Sequence, residues 1–135
     1  MVANKEIYIA GRRIGLGTSV KGSVEVNRST TQTFDGPKGA GVKDVSHTLE
    51  IGKLSCDTFE DYKELSKLMI EMRSNPETIT VSETFVSPEA GNFTVYKHYI
   101  NCLVDGDEYE MSAEDLTAST LKFASEGMNE EYSEN

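Results

Sequence analysis

The sequence has few of the residues on which metal sites and disulfide frameworks depend. Its 135 residues include only two cysteines, Cys56 and Cys102, and only two histidines, His47 and His98. Neither histidine has a nearby cysteine pair or a second histidine at ligand spacing, so we expect no metal and no cofactor. Two cysteines do not make a framework, and we expect buried or half-buried thiols in a reducing compartment.

Long hydrophobic runs and basic charge are also scarce. No opening stretch is apolar enough for a signal peptide and no later run approaches a membrane span, so we expect folding in the cytoplasm and no membrane partner. The chain has 13 Lys and Arg against 23 Asp and Glu, a formal net charge of -10. Such a charge repels phosphate, which argues against sequence-reading contact with nucleic acid.

Catalytic motifs are missing as well. The glycine-rich segments "GRRIGLGTSVKG" and "GPKGAG" lack the Gly-Lys-Ser/Thr ending of a phosphate-binding loop, and we interpret both as turns. No serine lies in a nucleophile-elbow pattern. The acidic residues between 105 and 110 are typical of a solvated loop. We therefore expect no catalytic residues and no enzyme activity.

Alternation of apolar and polar residues is the main pattern that is present. Val20, Val24 and Val26 share one face of a strand, and the segment "VKDVSHTLEIGKL" alternates in the same way. Between them lies "DGPKGAGVK", with nothing obvious to bury. The pair predicts a long hairpin with a packed base and a projecting arm from about residue 27 to 44, which we expect to be mobile before assembly.

One helix is indicated by a stripe of apolar residues at helical spacing. Asp57 or Thr58 can cap its start, and the segment before Pro76 ends it. The stripe consists of Phe59, Tyr62, Leu65, Leu68, Met69 and Met72.

A second hairpin and a final strand complete the predicted fold. The element order is approximately β-β-β-α-β-β-β, which indicates a mainly β protein, an antiparallel β-sandwich or partly closed barrel with one flanking α-helix. We predict a single domain over residues 1–125. Residues 126–135 read as an acidic, poorly ordered C-terminal tail.

Several segments in this order resemble the small tail tube proteins of tailed bacteriophages. They are "GRRIGLGTSVKGSVEVNRSTTQTFDG", "VSHTLEI", "FEDYKELSKLMIEM", "TITVSET" and "NCLVDGDEYEMSAEDLTASTLKF". The resemblance runs from about Ile7 to Phe123 and lies in element order and motif character. The short chain favours the contractile-tail type.

The resemblance implies a structural virion protein. Tail tube proteins form rings, usually hexamers, that stack into a hollow tube, and the hairpin sheets of neighbouring subunits join into one β-barrel around the lumen. Genome DNA passes through that lumen during ejection. The implied partners are further copies of the chain and the tail sheath, tape-measure and baseplate proteins, in a particle assembled in the host cytoplasm.

The resemblance also gives roles to two sets of residues. The glycine-rich tip becomes an arm to a neighbouring ring or subunit, with Asp35, Gly36, Pro37, Lys38, Gly39, Gly41 and Lys43 as its contacts. The alternation then suggests which side chains face the lumen, although a one-residue error in phase reverses it. These lumen candidates are Glu25, Ser29, Thr31, Asp44, Thr48, Glu50, Thr80, Ser82 and Thr84.

Two other functions stay open at this point. One is another ring-forming tail component, such as a terminator or an adaptor. The other is a monomeric cytoplasmic β-domain that binds peptides by adding a strand to an open sheet edge.

Overall fold

A computed structural model describes residues 5–28, 42–89, 91–106 and 108–134, with the backbone alone at 26–28, 42–45 and 134. The strands and the helix are β1 (Lys5–Ile9), β2 (Arg12–Arg28), β3 (Val42–Cys56), α1 (Phe59–Glu71), β4 (Glu77–Ser87), β5 (Gly91–Val104), β6 (Glu110–Ser112), β7 (Thr117–Ser125) and β8 (Gly127–Glu134).

The strands form one antiparallel sheet that nearly closes on itself. Its order is β6-β7-β3-β2-β1-β4-β5-β8, and a short additional pairing joins β7 to β5. Two residue pairs make that closure, Leu103 with Ala124 and Val104 with Phe123. Six strands therefore make a ring that is only partly barrel-like, with β6 and β8 attached beside the seam. The predicted fold class is confirmed.

The alternation in the strands builds a single core. Side chains on one face of the sheet point into the ring, and the buried apolar side chains of the described residues join one cluster. The largest fully buried members are Phe123, Ile7, Ile9, Ile14, Leu49, Ile51, Leu54, Leu65, Met69, Met72, Ile79 and Leu121.

The helix contributes most of its apolar stripe to the same core, whereas Phe59 at its start is 55% exposed. Of the two cap candidates, Thr58 is the N-cap, and its hydroxyl accepts a hydrogen bond of 3.2 Å from the Asp61 backbone N–H. Arg12 of β2 ties the helix to the sheet, with a guanidinium 3.1 Å from Asp61 and 3.5 Å from Glu64. The helix ends at Glu71, before Pro76.

The prediction of a poorly ordered C-terminal tail is wrong for residues 127–134. They form β8, which pairs with β5 from Phe93 opposite Glu134 to Ile100 opposite Gly127. The acidic residues that suggested a solvated end are matched by β5, because Glu130 lies 3.9 Å from Lys97 and Glu131 lies 3.1 Å from His98. Met128 also packs against the core.

The interpretation of "GRRIGLGTSVKG" as a turn is also wrong, apart from its first residue. Gly11 lies in the β1–β2 turn with φ +81°, but the segment that follows is strand β2. Its glycines permit close packing: a Cβ on Gly15 would lie 2.1 Å from the Ser55 carbonyl oxygen, and one on Gly22 would lie 2.1 Å from the Tyr99 hydroxyl. Both positions need glycine because there is no room for a side chain, and not because the chain turns there.

The described helix does not have the length and apolar character needed to cross a membrane, and no other helix occurs in that part of the chain.

Candidate assembly surface

The β2–β3 hairpin extends past the other strands of the ring. β2 and β3 stay paired as far as Arg28 opposite Val42, whereas the pairing of β3 with β7 stops at His47 and that of β2 with β1 stops at Gly17. Within the described residues, the outer part of β2 therefore has an open edge. Open edges of this length invite pairing with another chain.

One side of this hairpin is a polar face, formed by Lys21, Ser23, Glu25, Ser46, Thr48 and Glu50 and continued by Lys122 of β7. The Ser23 and Thr48 hydroxyls hydrogen-bond across the strands at 2.7 Å. Glu50 lies opposite Lys21 on one side and Lys122 on the other. The polar face is therefore of mixed charge, and its side chains point away from the core.

The other side of the same hairpin is apolar and poorly covered. Val24 is 51% exposed although it lies on the face that carries Ile51 and Leu49 nearer the ring. Its partner across the strands is His47, whose Nδ1 atom is buried and has no hydrogen-bond partner in the part of the chain that is described. An uncovered apolar face beside an open edge is typical of an interface.

The lumen candidates on the hairpin share the polar face as predicted by their alternation. Glu25, Thr48 and Glu50 all lie there, with both glutamates exposed. The Asp44 backbone pairs with that of Asn27, and at Asp44 the structure describes the backbone alone. Ser29 and Thr31 lie outside the described residues.

The lumen candidates on β4 are less exposed. Thr80, Ser82 and Thr84 lie on the face opposite Val81, away from the core, but β1 and β2 separate them from β3 in the sheet. Ser82 is only 6% exposed, and the Thr84 hydroxyl bonds that of Thr94 at 3.1 Å. Of these three candidates, Thr84 alone is an exposed residue.

The candidate arm contacts fall mostly outside the described residues, namely Asp35, Gly36, Pro37, Lys38, Gly39 and Gly41. Lys43 lies in β3, where its backbone is described. The predicted arm of residues 27–44 is thus strand at both ends, over 27–28 and 42–44. The rest of the arm, residues 29–41, lies outside the described residues, so its mobility before assembly stays a prediction.

The β4–β5 hairpin carries an apolar tip that the sequence reasoning did not single out. The Phe85 and Phe93 rings stack with centroids 5.2 Å apart, and Val86 is 79% exposed. Nearer the ring, Glu83 shares the core-side face and pairs with Lys5 at 3.4 Å. The signal was present in "TFVS" and "NFTV", where apolar residues continue past the core-forming part of each strand.

Three polar side chains connect β4, β5 and β8 in a row that resembles a nucleophile, a base and an acid. The Thr80 hydroxyl lies 2.8 Å from His98 Nδ1, and His98 Nε2 lies 3.1 Å from a Glu131 carboxylate oxygen. Each of these bonds joins side chains of two neighbouring strands on the same face of the sheet. We assign this row to cross-strand linkage.

Both cysteines are free and buried, as the sequence predicts. Burial, together with the nearby carboxylates of Asp61 and Asp57, raises the pKa of the Cys56 thiol to about 11. Burial likewise raises the pKa of Cys102. Among the described residues, no group of three or more His, Cys, Asp or Glu side chains is arranged to hold a metal ion.

Comparison of the chain with protein-family models and with curated protein sequences gives no match. The assignment of a function therefore depends on the geometry described above and on the resemblance in its sequence.

Proposed function

We propose that this chain is a structural subunit of a bacteriophage tail tube. Copies assemble into rings, hexameric by the resemblance, and the rings stack into a hollow conduit for genome DNA in the virion tail. The function is structural and not enzymatic. The sheath, tape-measure and baseplate proteins are the expected partners.

The overhanging β2–β3 hairpin is the observation that carries this proposal. Its open edge on β2 and its uncovered Val24 side are unfavourable in an isolated subunit, and both would be satisfied by a neighbouring copy. Its opposite side is polar and exposed. A hairpin that contributes one face to a subunit contact and the other to water suits the wall of a water-filled channel.

The charge of the polar face suits passage of DNA. Lys21 and Lys122 offset Glu25 and Glu50, so the described part of this face neither binds phosphates strongly nor repels them strongly. The wider subunit, with a net charge of -10, opposes adhesion of DNA. Both features favour sliding over binding.

The proposal is tested by negative-stain electron microscopy of purified protein at increasing concentration. The wild type should form hollow tubes of uniform diameter. Replacing residues 35–43 with a short Gly-Ser turn should abolish them, whereas replacing the loop at 113–115 in the same way should not. Persistent monomers of the folded wild type, even in the presence of preformed tail baseplates, would contradict the proposal.

The same images distinguish a tube subunit from a terminator or adaptor. A tube subunit yields particles whose length grows with protein concentration, because each ring presents the surface that receives the next. A terminator or adaptor yields single rings of fixed height.

The second candidate function, peptide binding by strand addition, is favoured by β8. This strand pairs with β5 on one side, and within the described residues its other edge is open. A protein that remains monomeric and protects its β8 amides from hydrogen exchange when an extended peptide is added would fit this candidate better than a tube subunit.

A further inference from the structure

A groove on the outer face of β1, β4, β5 and β8 has no role in the proposed tube. It has a volume of about 440 Å³ and lies away from the core and from the polar face of the β2–β3 hairpin. We call it the tyrosine groove, and its main lining residues are Tyr8, Tyr96, Tyr132, Thr80, His98 and Glu131.

The tyrosine groove offers aromatic surfaces and hydrogen-bond acceptors. The Tyr96 and His98 rings stack nearly parallel, with an angle of 6° between them. The Tyr8 hydroxyl donates its proton to Glu6 at 2.8 Å, and the Tyr132 hydroxyl donates to Glu130 at 2.7 Å. Because its proton is already engaged, the Tyr8 phenolic oxygen is left to accept a hydrogen bond from a ligand, whereas Glu130 holds the Tyr132 hydroxyl toward the depression on the other face of the sheet.

The charge around the groove is negative. Glu131 lines it, whereas the charge of Glu6, which holds the Tyr8 hydroxyl, is offset by Arg13 at 3.7 Å. No Lys or Arg is among its lining residues. Phosphates, nucleic acid and other anions are therefore disfavoured, whereas a cation with several N–H donors is favoured.

We propose that the tyrosine groove binds an arginine side chain presented by an extended segment of another protein. A guanidinium group stacks on aromatic rings and supplies five N–H donors, which matches the π faces of Tyr96 and His98, the Tyr8 phenolic oxygen and the Glu131 carboxylate. Within the described residues the outer edge of β8 is open and runs beside the groove, so the main chain of the same segment can pair with β8. The proposal does not depend on ring assembly.

The test uses fluorescence anisotropy with a fluorescein-labelled peptide, Gly-Arg-Val-Arg-Gly, at protein concentrations too low for polymer formation. We expect saturable binding. The same peptide with citrulline in place of arginine keeps the shape but loses the charge, and it should bind about threefold to tenfold more weakly, the range of a single cation–π or charged contact.

Two variants and two matched controls locate the binding. Tyr132 is 64% exposed and Glu131 is also exposed, so Tyr132→Leu and Glu131→Gln should fold, and each should weaken binding about threefold to tenfold. Phe59→Leu on the helix and Glu114→Gln in a loop make the same changes elsewhere and should have no effect.

Three outcomes would overturn the proposal. They are a lack of saturable binding, equal binding of the citrulline peptide, and equal weakening by Glu114→Gln and Glu131→Gln, since the last would mean attraction to the acidic protein as a whole. The result does not bear on tube formation, which is scored separately by microscopy.

Discussion

At the scale of single residues, Gly15 packs directly against the backbone of the neighbouring strand. Any side chain there would meet the Ser55 carbonyl on the neighbouring strand, and a backbone atom cannot rotate away. We predict that Gly15→Ala lowers the free energy of unfolding by about 1–3 kcal/mol, the usual cost of overpacking.

The matched control for that substitution is Gly127→Ala. Gly127 lies in β8 with open space where a Cβ would be, so the change should be neutral or slightly stabilising. Urea denaturation of both variants provides the comparison. Equal urea midpoints for the two variants would contradict the close approach of β2 and β3 at Gly15.

A second prediction concerns the Cys56 thiol and the dependence of stability on pH. An unfolded cysteine ionises near pH 8.5, whereas the folded thiol stays neutral until about pH 11. Between these values the unfolded state has lost the proton and the folded state has kept it, so stability is full below about pH 8.5 and falls as pH rises.

The measurement is the free energy of unfolding from pH 7 to 10.5 under reducing conditions, for the wild type and Cys56→Ala. The wild type should lose stability more steeply above about pH 8.5, because the variant lacks this thiol. Parallel profiles would indicate that Cys56 is not buried as described.

At this scale, the features that depend on neighbouring residues in the chain could be predicted from the sequence. The cap was narrowed to Asp57 or Thr58 because a side-chain oxygen just before a helix is a local signal, and the structure has Thr58. The shared face of Thr48 and Glu50 followed from strict alternation. The roles of Gly15 and Gly22 were missed, because the atoms that crowd them belong to Ser55 and Tyr99, which only the folded sheet brings near.

At the scale of elements, β8 shows how composition can mislead. The acidic residues at the C-terminus were interpreted as a solvated tail because charge without a visible partner favours disorder. Their partners, Lys97 and His98, lie about thirty positions earlier on β5 and become neighbours only through strand pairing.

This account predicts that β8 is a required part of the fold. Removing residues 127–134 strips the outer neighbour from β5 and uncovers the core beside Met128, which should lower the free energy of unfolding by about 2 kcal/mol or more. The triple variant Glu130→Gln, Glu131→Gln, Glu134→Gln keeps the strand but removes its charge, and it should lose much less, since exposed ion pairs contribute little.

Thermal and urea unfolding of the two variants separate these effects. A truncated chain as stable as the wild type would restore the interpretation of this segment as a tail. A triple variant as unstable as the truncation would assign the stabilisation to charge rather than to pairing.

At the scale of the whole molecule, the ring of strands and its flanking helix followed from the order of sequence patterns, whereas its closure did not. Only two pairs, at Leu103 and Val104, join β5 to β7. Nothing in the spacing of those residues distinguishes a closed ring from a sandwich, since both need the same alternation. The overhang of the β2–β3 hairpin was predictable, because its apolar face ends while its alternation of strand residues continues.

The assembly proposal makes Glu50 a channel residue in the tube and an exposed residue in the free subunit. Both native thiols are buried, so they should react slowly with maleimides, and a cysteine introduced at position 50 can be labelled selectively. Glu114→Cys, in an exposed loop, is the reference site.

The most direct test of the account is therefore the labelling of Glu50→Cys and Glu114→Cys, before and after assembly, with N-ethylmaleimide and with a long polyethylene-glycol maleimide. The account predicts that assembly blocks the large reagent at position 50, while the small reagent still reacts there and both reagents still react at position 114. Equal labelling of the two positions by the large reagent in assembled tubes would contradict a channel lined by the polar face of β2 and β3.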